Sequence, residues 1–292
     1  MLLILAKIEK TGNPVIYFFA TILIGALVIA FIRLLKTGFS LFRDEQVKSG
    51  FVNYSNEKET AVRLHLGAFS YFRKLSSKGK TAFVQRTLNF LETHEVYGED
   101  DFSPGLPAKI HVAAAATQLT FGLRDFAFTH FDTVILYPGI FRIHPEGPLM
   151  KGAATPNGEI RISLKDFDAG YDNPSDKLNV GLHEFGHGLF MEFLKSANDD
   201  ENADEGMKRN LYNYIEESDR MLNEGKHKDL FLRDYAFTNR HEFFAVSVEH
   251  FFEAPKEFKE KLPKLYSTLM NLLQQDPAGE QQDYGIWRNP LE

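Results

Sequence analysis

Apolar residues are unevenly spread along the chain. Val15 to Ile32 (VIYFFATILIGALVIAFI) is an 18-residue run without a charge. With Leu34 and Leu35 it reaches the length that crosses about 30 Å of hydrocarbon. A cleaved signal peptide would have a shorter apolar core and a small-residue cleavage site behind it; here Arg33, Leu34, Leu35 and Lys36 follow. The pattern predicts an N-terminal tail over 1–14, a retained transmembrane helix over 15–35 and a polar juxtamembrane linker over 36–58. Lys7 and Lys10 precede the span, while Arg33, Lys36, Arg43 and Lys48 follow it. That asymmetry predicts a single-pass protein whose C-terminal domain, residues 59–292, faces the cytoplasm.

Beyond the linker the pattern changes to helical and strand periods. Leu64, Leu66, Phe69, Phe72 and Leu75 mark one amphipathic helix, and Phe83, Leu88, Phe90 and Leu91 a second. Gly98 to Pro107 carries the turn residues of a loop. Ala108 to Leu119 is a helix of small residues suited to close packing. Asp132 to Pro138 is a β-branched run that proline ends, and reads as a buried strand. Gly158 to Leu164 alternates polar and apolar side chains, as a half-buried strand does; at a sheet edge it would be open to pairing with an extended peptide. Asn173, Pro174 and Asp176 have the cap, first-turn proline and acidic charge of a helix start, and predict a helix running from there to about Leu194. Met207 to Leu222 is a further amphipathic helix. The sum is an α+β, mostly helical domain with a small mixed sheet.

Composition narrows the chemistry. The chain has 292 residues, no cysteine and a net charge of −7. Disulfides and thiolate metal sites are excluded, and the acidic balance disfavours direct binding to nucleic acid.

The most informative stretch is Gly181 to Phe190, GLHEFGHGLF. His183 and His187 are four residues apart, so on a helix both imidazoles leave one face and can share one metal ion. Glu184 sits about 100° round from His183, placed to take a proton from water at that metal; this is the pattern of zinc metallopeptidases. Leu182, Phe185, Leu189, Phe190 and Phe193 make the helix apolar on several sides, as a buried one would be. Gly186 and Gly188 are costly in a helix interior, which implies that another element packs close against them.

Two histidines leave a third protein ligand to be found. Glu242 opens a second apolar helix within Asp234 to Phe252 and is the leading candidate. Its competing role is that of a capping box with Asn239. Glu249, seven residues on and almost on the same face, is the fallback; His241 and His250 are also available. Tyr235, just before the helix, could hydrogen-bond the oxyanion of a tetrahedral intermediate or pack beneath the helix.

HEFGH followed by Y-x6-E-F-F-A resembles the Mlc titration factor A (DgsA anti-repressor) family of bacterial zinc-dependent peptidases, and through it the catalytic domain of anthrax lethal factor. The likeness extends to FDTVILYPGIF (Phe131–Phe141), FFEAPKEF (Phe251–Phe258) and LPKLYSTLMNLLQQDP (Leu262–Pro277), and so to roughly residues 60–280. The resemblance implies a zincin-like (gluzincin) domain with one zinc ion, Zn(2+), on His183, His187 and Glu242, with Glu184 as general base and Tyr235 assisting. It implies a peptide or protein substrate, and in the soluble members a transcriptional repressor as partner. The expected protein is therefore a zinc metallopeptidase anchored in the inner membrane; the alternative is a regulatory binding protein that sequesters a transcriptional regulator. The long apolar span is a departure from the soluble members, and puts the family's partners in doubt for this chain.

Overall fold

The computed structural model describes residues 54–99, 101–123, 128–173, 175–199, 204–224 and 231–279. Its elements in chain order are α1 (Asn56–Leu66), α2 (Ser70–Lys74), α3 (Ser77–Thr93), β1 (Glu95–Gly98), α4 (Leu106–Thr120), β2 (Thr133–Tyr137), β3 (Gly152–Ala154), β4 (Glu159–Ser163), α5 (Leu164–Asp172), α6 (Val180–Asp199), α7 (Glu205–Glu224), a 3-10 turn (Asp234–Thr238), α8 (Arg240–Glu253), α9 (Pro255–Lys261) and α10 (Pro263–Leu273). The mostly helical α+β class with a small mixed sheet is what the periodicity predicts.

One sheet carries four strands in the order β1-β2-β4-β3. β1, β2 and β4 run parallel, and β3 is antiparallel to β4. Val134 pairs with Ile160 and Leu136 with Ile162, and these four buried side chains form the face turned to the core. β4 is therefore interior, not the edge strand its alternation left open. The edge beside it is β3, whose three residues are too short a run to be read from sequence. β1 was likewise hidden, between a helix and a loop.

α6 is the helix that the other layers cover. Leu182, Phe185, Leu189, Phe190 and Phe193 are all buried, each contributing about 1.5–3 kcal/mol by leaving water. The two glycines mark the close approaches. A Cβ at Gly186 would stand 3.3 Å from Ala245 Cα on α8, and one at Gly188 would stand 3.3 Å from the Ile160 side chain on β4. α6 is thus clasped between the sheet and α8. A second cluster, built on Phe69, Phe72, Phe83 and Phe121, joins α1 to α4. Between the two clusters, the small side chains of Ala113 to Ala116 let α4 pack on both sides.

Two expectations are corrected. The helix of the His-Glu-x-x-His motif starts at Val180, not near Asn173. Asn173 instead ends α5, and the cap of α6 is Asn179, whose Oδ1 accepts from Leu182 N at 2.9 Å; Pro174 lies outside the described residues. The second correction concerns location. A single-pass inner-membrane protein needs a long apolar helix, and among the described residues no helix is long and apolar enough to cross a membrane. The longest, α6 and α7, each of 20 residues, carry ionisable side chains throughout. Residues 15–35, on which the expectation rested, lie outside the described residues, and the membrane location is withdrawn.

The α6–α8 contact makes a stability prediction. Gly186→Ala should be nearly neutral, because a gain in helix propensity offsets a contact that a few tenths of an ångström relieve. Gly186→Leu should cost about 1–3 kcal/mol by overpacking, read as a lowered denaturant midpoint at unchanged slope.

Candidate metal centre

α6 and α8 bring together His183, His187 and Glu242. Their ligand atoms all lie within 4.8 Å of one another. His183 Nε2 is 3.1 Å from His187 Nε2 and 3.1 Å from Glu242 Oε2, and His187 Nε2 is 3.4 Å from the same oxygen. Ligands at about 2.0–2.1 Å on a tetrahedral ion stand about 3.3 Å apart, so the spacing fits a single small cation. The donor set, two imidazole nitrogens and a carboxylate oxygen, also fits one. Among the described residues this is the one such cluster.

Each of the three side chains is set by its local sequence. One helical turn separates the two histidines on α6. Glu242 stands in the first turn of α8, where Asn239 Oδ1 accepts from His241 N at 2.9 Å and from Glu242 N at 3.0 Å. Asn239 caps the helix, while the Glu242 carboxylate faces the imidazoles. Burial would raise the Glu242 pKa, but the imidazoles of His183 and His187 hold it well below the usual carboxylate range.

Glu249 is not placed as a ligand. Its Oε1 accepts from His183 Nδ1 at 2.7 Å, its Oε2 accepts from Asn179 N at 2.7 Å, and Arg233 donates to Oε1. In the neutral ring with its proton on Nδ1, the lone pair of His183 is on Nε2, toward Glu242; a carboxylate behind a metal-binding histidine orients it in this way. Burial lowers the His183 pKa, yet Glu242 and Glu249 outweigh it and raise it to about 10. The seven-residue spacing of the two glutamates placed Glu249 on the correct face, but could not say which nitrogen of His183 it meets.

Glu184 is buried, 6% exposed, and sits against the edge strand. A Cβ at Gly152 on β3 would come within 2.4 Å of Glu184 Cγ and 2.5 Å of its Oε1. Only a glycine leaves room for that carboxylate. Burial raises the Glu184 pKa against the lowering influence of the two histidines.

Tyr235 lies on the 3-10 turn before α8 and is 54% exposed; it does not pack beneath the helix. Its ring centroid is 6.2 Å from that of His183. Partial burial and the charge of Glu242 push its pKa up to about 12, so the phenol keeps its proton. His241 and His250 do not join the cluster. His241 meets the Phe190 ring edge-on, and His250 is buried and donates from Nδ1 to the Val246 carbonyl. Asn179, Arg233 and Gly152 had no sequence motif to mark them; only the fold brings them to the centre. A surface cavity of about 470 Å³, bordered by Phe69, His111, Phe167 and Asp168, shares no residue with it.

Residues 45–274 match the family model described as glucose-regulated metallo-peptidase M90. The chain is also similar to an uncharacterized protein of Synechocystis sp., at 24% identity over 221 residues, covering 68% of this chain and 78% of that protein.

Asn179 links the centre to a titrating group. Its side-chain amide donates to Glu253 Oε1 at 3.1 Å, and burial, reinforced by Glu249 and Asp176, raises the Glu253 pKa from 4.5 to about 7. A folded-state pKa above the unfolded one means that the native state binds the extra proton. The stability Glu253 contributes is therefore full below about pH 4.5 and lost as pH rises through about 7. Glu253→Gln should raise the melting temperature at pH 8 and leave it nearly unchanged at pH 4.5, as measured by thermal unfolding across that range.

Proposed function

The chain belongs to the glucose-regulated metallo-peptidase M90 family, that of Mlc titration factor A, and on that premise we propose that it is a zinc-dependent peptidase of the His-Glu-x-x-His type with a zincin-like (gluzincin) catalytic domain. The observation that carries this reading is the convergence of His183, His187 and Glu242 from two helices, with Glu184 buried beside the open edge of β3. His183, His187 and Glu242 hold the zinc ion, and a peptide or protein is the substrate. Zinc bound there supplies Lewis acidity toward water and the substrate carbonyl.

The remaining steps belong to the chain. A peptide extended along β3 pairs with the side of that strand turned away from β4, which brings a scissile carbonyl past Gly152. Glu184 takes the proton as water attacks that carbonyl, then returns it to the leaving amine. Its raised pKa suits it to both transfers, because a carboxylate in an apolar pocket accepts a proton more readily than one in water. The Tyr235 phenol, kept protonated beside Glu242, donates to the developing oxyanion. Glu249 holds His183 in the tautomer that offers Nε2.

Glu184→Gln should lower peptide hydrolysis by about 100- to 10,000-fold, the range for loss of a general base, with metal content unchanged by elemental analysis. Full activity in that variant would end the proposal. Glu242→Ala should weaken metal binding by more than about 100-fold in a chelator competition; unchanged affinity would show that the ligand set is different.

A further inference from the structure

Arg233 stands at a junction that the ligand set does not explain. It directly precedes the 3-10 turn that carries Tyr235, and its carbonyl accepts from Ala236 N at 2.9 Å. Its guanidinium reaches inward to Glu249, which is only 2% exposed, while the arginine side chain itself is 32% exposed. The same Glu249 oxygen meets His183 Nδ1 at 2.7 Å. One buried carboxylate is thus shared between a metal-facing histidine and the residue that opens the tyrosine turn.

We propose that Arg233 is a positioning residue that fixes the Tyr235 turn against the metal centre by gripping Glu249. Its catalytic consequence rests on the peptidase reading above; the placement itself does not. Leu232 and Ala236, both buried, seat the segment through apolar contact, which is non-directional. A charge-assisted hydrogen bond has direction and roughly twice the strength of a neutral one. The ion pair therefore adds an orientation that apolar contact lacks. It falls two residues from a phenol that is half exposed, lies beside the His183 ring and hydrogen-bonds Glu242. Arg233 also supplies the positive charge that a carboxylate buried as deeply as Glu249 requires. Simple neutralisation of Glu249 would account for that ion pair too, so the test must separate holding the turn from balancing a charge.

Two measurements on the full chain do so. In metal-free protein, Arg233→Met should speed hydrogen exchange at the Ala236 amide by about 10-fold or more, and Arg233→Lys should restore part of the protection. In the zinc-loaded protein, Arg233→Met should lower kcat on a reporter peptide by about 10-fold with KM nearly unchanged, and should add little further loss in a Tyr235→Phe background. Unchanged Ala236 exchange would overturn the proposal. So would a kcat loss equally large with and without the tyrosine hydroxyl, since Arg233 would then act independently of Tyr235. Should Arg233→Met fail to fold because Glu249 is left unpaired, Arg233→Met combined with Glu249→Gln removes both charges and carries the exchange measurement. If the wild-type chain cleaves no peptide but the exchange effect appears, the placement of Arg233 stands and the peptidase reading falls.

Discussion

Everything at the centre depends on how closely α6 and α8 cross. His183 and His187 belong to one helix and Glu242 to another, 55 residues beyond His187 in the sequence. Their ligand atoms meet at 3.1–3.4 Å because, one turn away, Gly186 lets Ala245 approach to within van der Waals contact. Two helices with ordinary side chains at their contact sit about 8–10 Å apart, and a side chain larger than alanine there would press the two helices apart. The glycine costs about 1 kcal/mol of helix propensity. That cost is small beside the burial of Phe185, Phe190, Phe243 and Phe244 on the same two helices, about 1.5–3 kcal/mol each. The packing energy of the crossing sustains a locally unfavourable residue at the one place where closeness is needed.

Charge gives the crossing its chemical meaning. Glu184, Glu242 and Glu249 are gathered around His183 and His187, with Arg233 as the basic group among them. Carboxylates outnumber the guanidinium in a largely buried space, where unpaired charge is costly. A bound metal ion would offset that excess with both imidazoles neutral, the form in which they can act as ligands. The raised pKa of His183 reports the same demand: the surrounding carboxylates call for positive charge, and a proton on His183 answers it. His183, His187 and Glu242 thus form a group that could hold a metal ion.

How far the sequence discloses this depends on the range over which each signal acts. The motif histidines are one turn apart on one helix, so local geometry alone places them. Glu242 needed the family resemblance to be preferred over a cap, because a carboxylate in a helix's first turn has a common local role; only the tertiary contact shows its carboxylate turned to His183 and His187. The four-residue β1 and three-residue β3 have no period to detect. The helix start near Asn173 failed for a different reason. Asn173, Pro174 and Asp176 have the composition of a cap, but they follow α5, a short separate helix whose Phe167 and Gly170 pack on the beginning of α6. Asn179, with no proline or acidic residue beside it, does the capping and also binds Glu249 and Glu253. Tertiary partners, not local composition, chose between two asparagines six residues apart.

Gly152 shows how a residue with no side chain can define the reacting geometry. It lies on the sheet's edge strand, which packs on α6, and its missing Cβ is the space that the Glu184 side chain fills. Strand edge and carboxylate are therefore held in register by contact rather than by a flexible loop. A peptide added to that edge would have its backbone placed by hydrogen bonds one strand spacing from β3, about 4.8 Å. Because the same strand touches Glu184, the carbonyl and the base would be referred to one rigid element, and small shifts of the surrounding loops would move them together. Such coupling is worth more to catalysis than tight substrate binding alone, since misplacement of about 1 Å can cost about 100-fold in rate. On the peptidase reading the sheet would contribute alignment, while the helices would contribute the metal-binding side chains.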